Sequence, residues 1–153
     1  MLARLVLALV LCCEPATAAD IVGRVVGVTD GDTLTVLVGR KQVKVRLAEI
    51  DAPESKQPYG TRSKQSLSEL AYNKTVRVVD HGTDRYRRTL GRVYVGNVDV
   101  NAEQVRRGMA WVFDRYVTDK SLYALQDEAR ANKRGLWADP RAMPPWECGK
   151  SKR

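Results

Sequence analysis

Thr33-Leu34-Thr35-Val36-Leu37-Val38-Gly39-Arg40-Lys41-Gln42-Val43-Lys44-Val45-Arg46-Leu47 reads as two alternating runs joined at a glycine. Leu34, Val36 and Val38 alternate with Thr33, Thr35 and Leu37, and Val43, Val45 and Leu47 alternate with Gln42, Lys44 and Arg46. A period of two places one face of each strand in a core. With Gly39-Arg40 as a two-residue turn, Leu34 falls opposite Val45 and Val36 opposite Val43, so the two apolar faces coincide. Upstream, Val22, Val25, Val26 and Val28 run into Asp30-Gly31, a pair suited to a tight turn with positive φ at the glycine. The segment from Ile21 to Leu47 is therefore predicted to be an antiparallel three-stranded meander.

Beyond Pro53 and Pro58 the period changes. Leu67, Leu70 and Ala71 recur at helical spacing, which predicts a helix over Thr61 to Tyr72. Strands are expected over Thr75 to Asp80 and Leu90 to Val95. A short helix capped by Asn101 should end before Gly108, and a longer one should run from Ser121 to Asn132 with Leu122, Leu125 and Ala129 inward and Gly135 beyond its end. Five strands and three helices, with the first helix between the third and fourth strands, fit a five-stranded OB-fold β-barrel of α+β class, a fold that commonly offers a groove to oligonucleotides. The last dozen residues, with Pro144, Pro145 and a basic ending, read as a peripheral tail.

In such a meander the first turn and the end of the third strand share one rim. Asp32 starts the second strand, opposite Leu47 and beside Arg46, and Asp51 and Glu54 follow the third. Two carboxylates with backbone oxygens and water suit a hard divalent cation such as Ca²⁺, which binds phosphate oxygens and offsets charge in displacement at phosphorus. A second basic cluster, Arg85-Tyr86-Arg87-Arg88, lies in the turn between the fourth and fifth strands; paired arginine donors there would complement a phosphodiester in its transition state. A carboxylate such as Glu54 can orient or deprotonate water. Taken singly, each residue also has a plain structural explanation: an Asx turn, a loop start, a salt-bridged strand position, a solvated hairpin.

Three stretches occur together and in order: Asp30-Gly31-Asp32-Thr33, then Arg46-Leu47-Ala48-Glu49-Ile50-Asp51-Ala52-Pro53-Glu54, then Thr83-Asp84-Arg85-Tyr86-Arg87-Arg88-Thr89-Leu90-Gly91-Arg92. In order and spacing they resemble the three signatures of the staphylococcal nuclease (thermonuclease) family, and Asn101 to Ala110 and Gly135-Leu136-Trp137 resemble its later helices. The resemblance implies a calcium-dependent phosphodiesterase acting on DNA and RNA, single strands preferred, with 3′-phosphate products. By position, Asp32 and Asp51 resemble the calcium carboxylates, and Ala52 would offer its backbone carbonyl. Arg46 and Arg88 resemble the phosphate-binding pair, Glu54 the general base, and Tyr86 and Tyr116 the tyrosines of the nucleotide pocket. Arg87 departs from the pattern, because a glycine often stands before the second arginine; its bulk would reshape the loop, displace Arg88 or take over part of its role. A non-catalytic nucleic-acid-binding OB module is the alternative, and such modules usually lack the acids.

Residues 1–18 read as a signal peptide: Arg4, an apolar run from Leu5 to Cys13, then Ala16-Thr17-Ala18, with cleavage after Ala18. The run is about half of the roughly 20 residues that span a bilayer, so no membrane span is expected. This assigns 19–147 to the nuclease-like domain, 148–153 to a basic tail, and the protein to a periplasmic or extracellular place as a monomer. Arg4 and Glu14 leave together, so the mature chain keeps the formal charge of +8 that favours polyanions. Cys12 and Cys13 leave as well. Cys148 then has no partner for an internal disulfide, and with one His in the chain no zinc site can be built.

Overall fold

In a computed structural model of the chain, residues 19–148 are described. The expected signal segment, including its cleavage point, and all of the basic tail except Cys148 lie outside them. The strands are β1 (Ile21–Asp30), β2 (Thr33–Val38), β3 (Lys41–Leu47), β4 (Ile50–Asp51), β5 (Thr75–Thr83), β6 (Thr89–Val95), β7 (Val98–Asp99) and β8 (Trp111–Val112). The helices are α1 (Gly60–Ala71), α2 (Val100–Arg106), α3 (Ser121–Ala131) and α4 (Pro145–Cys148), with a 3₁₀ turn at Gly135–Ala138.

The five long strands make the barrel. They run in the order β3-β2-β1-β5-β6 through antiparallel pairs, and a parallel β3–β6 pairing closes the circle, with Val45 opposite Thr89 and Arg46 opposite Leu90. The β2–β3 hairpin has Leu34 opposite Val45 and Val36 opposite Val43, the register the alternation predicts. Three two-residue strands carry no periodicity of their own: β7 adds to β6, while β4 and β8 pair with each other, Asp51 opposite Trp111.

Closure turns one face of every long strand inward. Val25, Leu34, Val36, Val45, Leu47, Val76, Val78 and Val93 fill the interior, and Leu67, Leu70, Val105 and Leu122 from the helices cap it; all are buried. Each such side chain contributes about 1.5–3 kcal/mol on leaving water. A second cluster of Trp111, Ala129, Leu136 and Trp137 lies beside it.

Three local expectations are corrected. Asp99, not Asn101, caps α2: its side chain accepts from Ala102 N, while Asn101 is fully buried and ties Val93 N to the carbonyls of Ala48 and Gly91. The first turn is Gly31-Asp32, and Gly31 does not take a positive φ. Glycine is needed there because a Cβ would lie 1.8 Å from Ser63 Oγ and 2.9 Å from the Ala52 Cβ. The C-terminal stretch is not a loose tail up to Cys148: Trp146 stacks on Phe113 with centroids 5.1 Å apart and meets Trp111 edge-on. Among the described residues no helix is long and apolar enough to cross a membrane.

Candidate active site

The first turn is held from below. Gln104, fully buried on α2, donates through Nε2 to Gly31 O at 2.7 Å and to Ser63 O at 3.2 Å, while Ser66 Oγ donates to its Oε1 at 2.6 Å. A buried amide satisfied at three points is a rigid peg. It fastens the turn carrying Asp32 to both α1 and α2.

Asp32 points inward from that turn and is 5% exposed. Its Oδ2 accepts from Ala52 N at 2.8 Å and its Oδ1 from Thr33 Oγ1 at 3.0 Å. The β2–β3 register places Thr33 opposite Arg46, so the guanidinium emerges next to this carboxylate. Arg46 Nη2 lies 3.3 Å from Asp32 Oδ2 and 2.6 Å from Asp51 Oδ1. Its Nη1 donates to the carbonyls of Leu47 and Ile50 at 3.0 and 2.9 Å. One nitrogen is therefore committed to backbone, and the other is shared between two acids.

That sharing leaves the pair of acids under-compensated. Burial raises the Asp32 carboxyl to about 7 against the pull of Arg46, with Asp30 and Asp51 adding repulsion. Burial also raises Asp51, and the charge of Glu54 works in the same direction. Two desolvated carboxylates with one guanidinium between them are an incomplete charge set. Hard oxygens with surplus negative charge fit a divalent cation of the calcium type. Among the described residues no group of three or more His, Cys, Asp or Glu is placed to hold a metal, so a cation here would meet two carboxylates and otherwise backbone oxygens and water. Ala52 is buried, and its N–H is already used by Asp32.

Glu54 follows in an exposed loop fixed by two bonds to Gln57, Glu54 N to Oε1 and Gln57 N to Glu54 O, each 2.8 Å. Among the described residues its carboxylate makes no hydrogen bond, which leaves it available to solvent and to a ligand.

Arg88 immediately precedes β6, whose parallel pairing sets Arg46 opposite Leu90. Arg88 therefore lies at the entry to the strand beside β3, two residues before the one opposite Arg46. Asp84 builds the Arg88 loop: its Oδ1 accepts from Tyr86 N and Arg88 N, and its Oδ2 accepts from Arg88 Nε at 2.7 Å. Slight burial of Asp84 is outweighed by these bonds from Arg88 and Tyr86, which hold its carboxyl below the ordinary value. Among the described residues the two η nitrogens of Arg88 make no hydrogen bond or ion pair. Arg87 takes φ 64, the left-handed conformation that glycine adopts freely. The arginine thus preserves the glycine-like turn, and Arg88 remains anchored to Asp84.

Tyr86 is 63% exposed, with the guanidinium groups of Arg85 and Arg88 over its ring at 4.8 and 5.4 Å. Tyr116 is 57% exposed, and its ring meets Phe113 edge-on. Hydrogen bonds and ion pairs thus unite Asp32, Arg46, Asp51 and Ala52. The β3–β6 pairing places the loop of Arg88 and Tyr86 at the entry to the strand beside β3, and no described bond ties that loop, Glu54 or Tyr116 to the cluster.

Sequence reasoning missed a second cluster behind the first. Arg92 donates from Nη1 to Glu49 Oε2 at 2.8 Å, from Nε to Asp99 Oδ2 at 2.8 Å, and from Nη2 to Asp119 Oδ2 at 3.1 Å. Glu49 Oε1 accepts from Thr118 N, Thr118 Oγ1 and Asp119 N. Despite the penalty of burial, the bonds from Asp119, Thr118 and Arg92 hold the Glu49 carboxyl at about 2. Glu49 and Asp51 flank Ile50, so the network fixes the short strand that presents Asp51. Its one local sign is Glu49 within the loop motif; Arg92 and Asp119 are remote in sequence.

Residues 44–139 match a family model described as staphylococcal nuclease homologue. An uncharacterized endonuclease of Escherichia coli O157:H7 is 51% identical over 133 residues, covering 86% of this chain and 87% of that protein. A micrococcal nuclease of Shigella flexneri is 45% identical over 140 residues, 84% of this chain and 80% of its own length. An uncharacterized endonuclease of Haemophilus influenzae is 50% identical over 123 residues, 80% of this chain and 69% of its own.

Proposed function

The chain is a nuclease of the staphylococcal nuclease family, and from that premise we propose that it is an exported, Ca²⁺-dependent endonuclease that hydrolyses DNA and RNA to products ending in 3′-phosphates. Single strands are its preferred substrates. The observation that carries this reading is the shared Nη2 of Arg46, 3.3 Å from Asp32 and 2.6 Å from Asp51, in a rim where burial pushes both carboxyls upward.

Asp32 and Asp51, with the Ala52 carbonyl, would hold the cation. Bound there, it would offset the two carboxylates and supply positive charge against the charge that builds on the phosphate. The chain's own groups do the rest. Arg46, steadied through Nη1 by two backbone carbonyls, offers its Nη2 to the phosphate, and Arg88, held through Nε by Asp84, offers its two η nitrogens. Both strengthen their bonds as negative charge builds on the equatorial oxygens, which is where rate is gained. Glu54 takes a proton from the attacking water. The water oxygen bonds to phosphorus, the P–O5′ bond breaks, and the departing 5′ oxygen is protonated. Tyr86 and Tyr116 present exposed rings on which bases can rest. The full set of acids and arginines favours this reading over a module that only binds. The apolar run before Ala18 motivates the proposal of export to the periplasm or the medium.

The test uses purified residues 19–153 on heat-denatured DNA. Cutting is expected in calcium and should stop on chelation; undiminished cutting in excess chelator rejects the metal role. Glu54→Gln and Arg88→Ala should each lose about 10²–10³ in kcat with KM little changed, because the interactions removed belong to the transition state. A wild-type rate in either variant removes that residue from the mechanism.

A further inference from the structure

Away from the rim, the sequence Arg107-Gly108 crosses Arg134-Gly135 at very short range. Gly108 has φ 68 and Gly135 φ 52; a Cβ on the first would lie 2.2 Å from Arg134 O, and one on the second 2.3 Å from Gly108 O. Leu136 N donates to Gly108 O at 2.8 Å, and Arg134 Nη1 to Arg106 O at 3.3 Å, closing the crossing. The crossing brings the backbone of Arg107 close to that of Arg134.

They line an open groove of about 540 Å³ whose opposite wall is α1, with Arg62, Gln65, Ser66 and Glu69. Three arginines and one carboxylate line it, and two further carboxylates, Glu103 and Glu128, pair with Arg107 and Arg134 from outside the lining. Arg107 reaches Glu69 only at 3.6 Å and Glu103 at 3.2 Å, and Arg134 is paired with Glu128 at 3.0 Å. Exposed pairs of this kind are weak and readily exchanged for phosphate. Arg62 makes no ion pair among the described residues and lies over the Tyr59 ring at 5.5 Å. It also lines a second hollow of about 410 Å³ with Gln57, Pro58, Tyr59 and Thr61. That hollow adjoins the Glu54 loop, because Gln57 is bonded to Glu54 and a Cβ at Gly60 would lie 2.1 Å from Glu54 O. Arg62 is common to both hollows, which therefore adjoin along α1 between the loop of the proposed general base and the glycine crossing.

We propose that the two hollows together form a backbone-binding track for the polynucleotide beyond the cleaved bond, with Arg62, Arg107 and Arg134 contacting successive phosphates of a single strand. The proposal rests on the nuclease reading and deepens it: the track makes long strands better substrates than short ones. Its contacts are to phosphates, so it carries no base preference.

The test compares wild type with Arg62→Gln and with the triple variant in which Arg62, Arg107 and Arg134 are all Gln, each checked for unchanged thermal unfolding. Substrates are single-stranded oligo-dT of about 16 nucleotides and of about 4, the span covered by one barrel of this type. The triple variant should raise KM for the long strand about tenfold with kcat unchanged, flatten the log–log salt dependence of binding by roughly 2, and leave the short strand unaffected. Arg62→Gln, which breaks no ion pair, should show the same pattern at smaller size and keeps the test valid if the triple variant fails to fold. Equal effects on both lengths, or none, overturn the track. Binding of the labelled long strand is measured in parallel in chelator; unchanged affinity there overturns the track whatever the cleavage assay shows, whereas a wild-type protein that binds by length but cuts nothing counts against the nuclease reading alone. Displacement by inorganic phosphate with no dependence on strand length would mark a single-anion pocket and likewise overturn it.

Discussion

Two arginine–carboxylate clusters flank Ile50, and they are built to opposite effect. Around Arg92, one guanidinium meets Glu49, Asp99 and Asp119, and backbone and hydroxyl donors from Thr118 and Asp119 saturate the acid; its carboxyl sits low. Around Arg46, one nitrogen is divided between Asp32 and Asp51, and their carboxyls are pushed up. The same residue types thus make a clamp in one place and a pair of under-compensated acids in the other. What separates them is the supply of fixed donors, not the number of acids. A satisfied cluster holds the fold, while an unsatisfied one is held by it.

The sharpest way to break this contrast is to remove Arg92. Arg92→Ala leaves Glu49 buried without its cation and should cost about 3–5 kcal/mol of stability in urea unfolding. A loss under about 1 kcal/mol would show the network to be ornamental to the fold.

The next test reverses the sign. Asp32→Asn removes a charge that burial opposes, so the metal-free fold should gain on the order of 1 kcal/mol at neutral pH while cleavage falls away. Linkage gives the pH windows. The Asp32 carboxyl rises from 3.8 to about 7 on folding, so the metal-free fold loses stability as pH climbs through that interval, and the variant should not. The Glu49 carboxyl falls from 4.5 to about 2, so its stabilisation is complete above 4.5 and disappears as pH falls towards 2. Unfolding measured across pH in chelator should therefore show two limbs, with Asp32→Asn flattening the upper one and Glu49→Gln the lower. Parallel behaviour in both variants would erase the distinction.

The smallest effect belongs to the loop before Arg88. Arg87→Gly relieves a non-glycine residue at φ 64 but frees the unfolded chain, so a gain of under about 1 kcal/mol is expected with activity kept. Loss of activity would give Arg87 a part in binding phosphate.

Much of this was legible in residues 30–54. Alternation on either side of Gly39-Arg40 predicts the hairpin register, and register alone brings Asp32 beside Arg46. Other features depend on partners no local pattern can announce. The Arg92 cluster draws on β6, β7, the turn before β4 and the segment after β8; β4, β7 and β8 are two residues each, too short to show a period. The cap of α2 was misread because Asp99 and Asn101 are both good cap residues and differ only in which one the barrel buries. Gly31 looked like a φ requirement and is a packing requirement, set by Ser63 from a helix farther along the chain. Trp146 looked peripheral because its partners, Phe113 and Trp111, lie on a different element.

The parallel pairing of β3 with β6 carries one more consequence. Arg46 and Arg88 belong to segments far apart in sequence, and the strands bearing them become neighbours only when the circle of strands is completed. Ring completion of this kind is a non-local and comparatively slow event in folding. A chain with only the first hairpins formed has Asp32 beside Arg46, but neither the β8 partner of Asp51 nor the segment that carries Arg88 is yet in place. The proposed phosphate-binding pair is thus assembled only in the closed barrel.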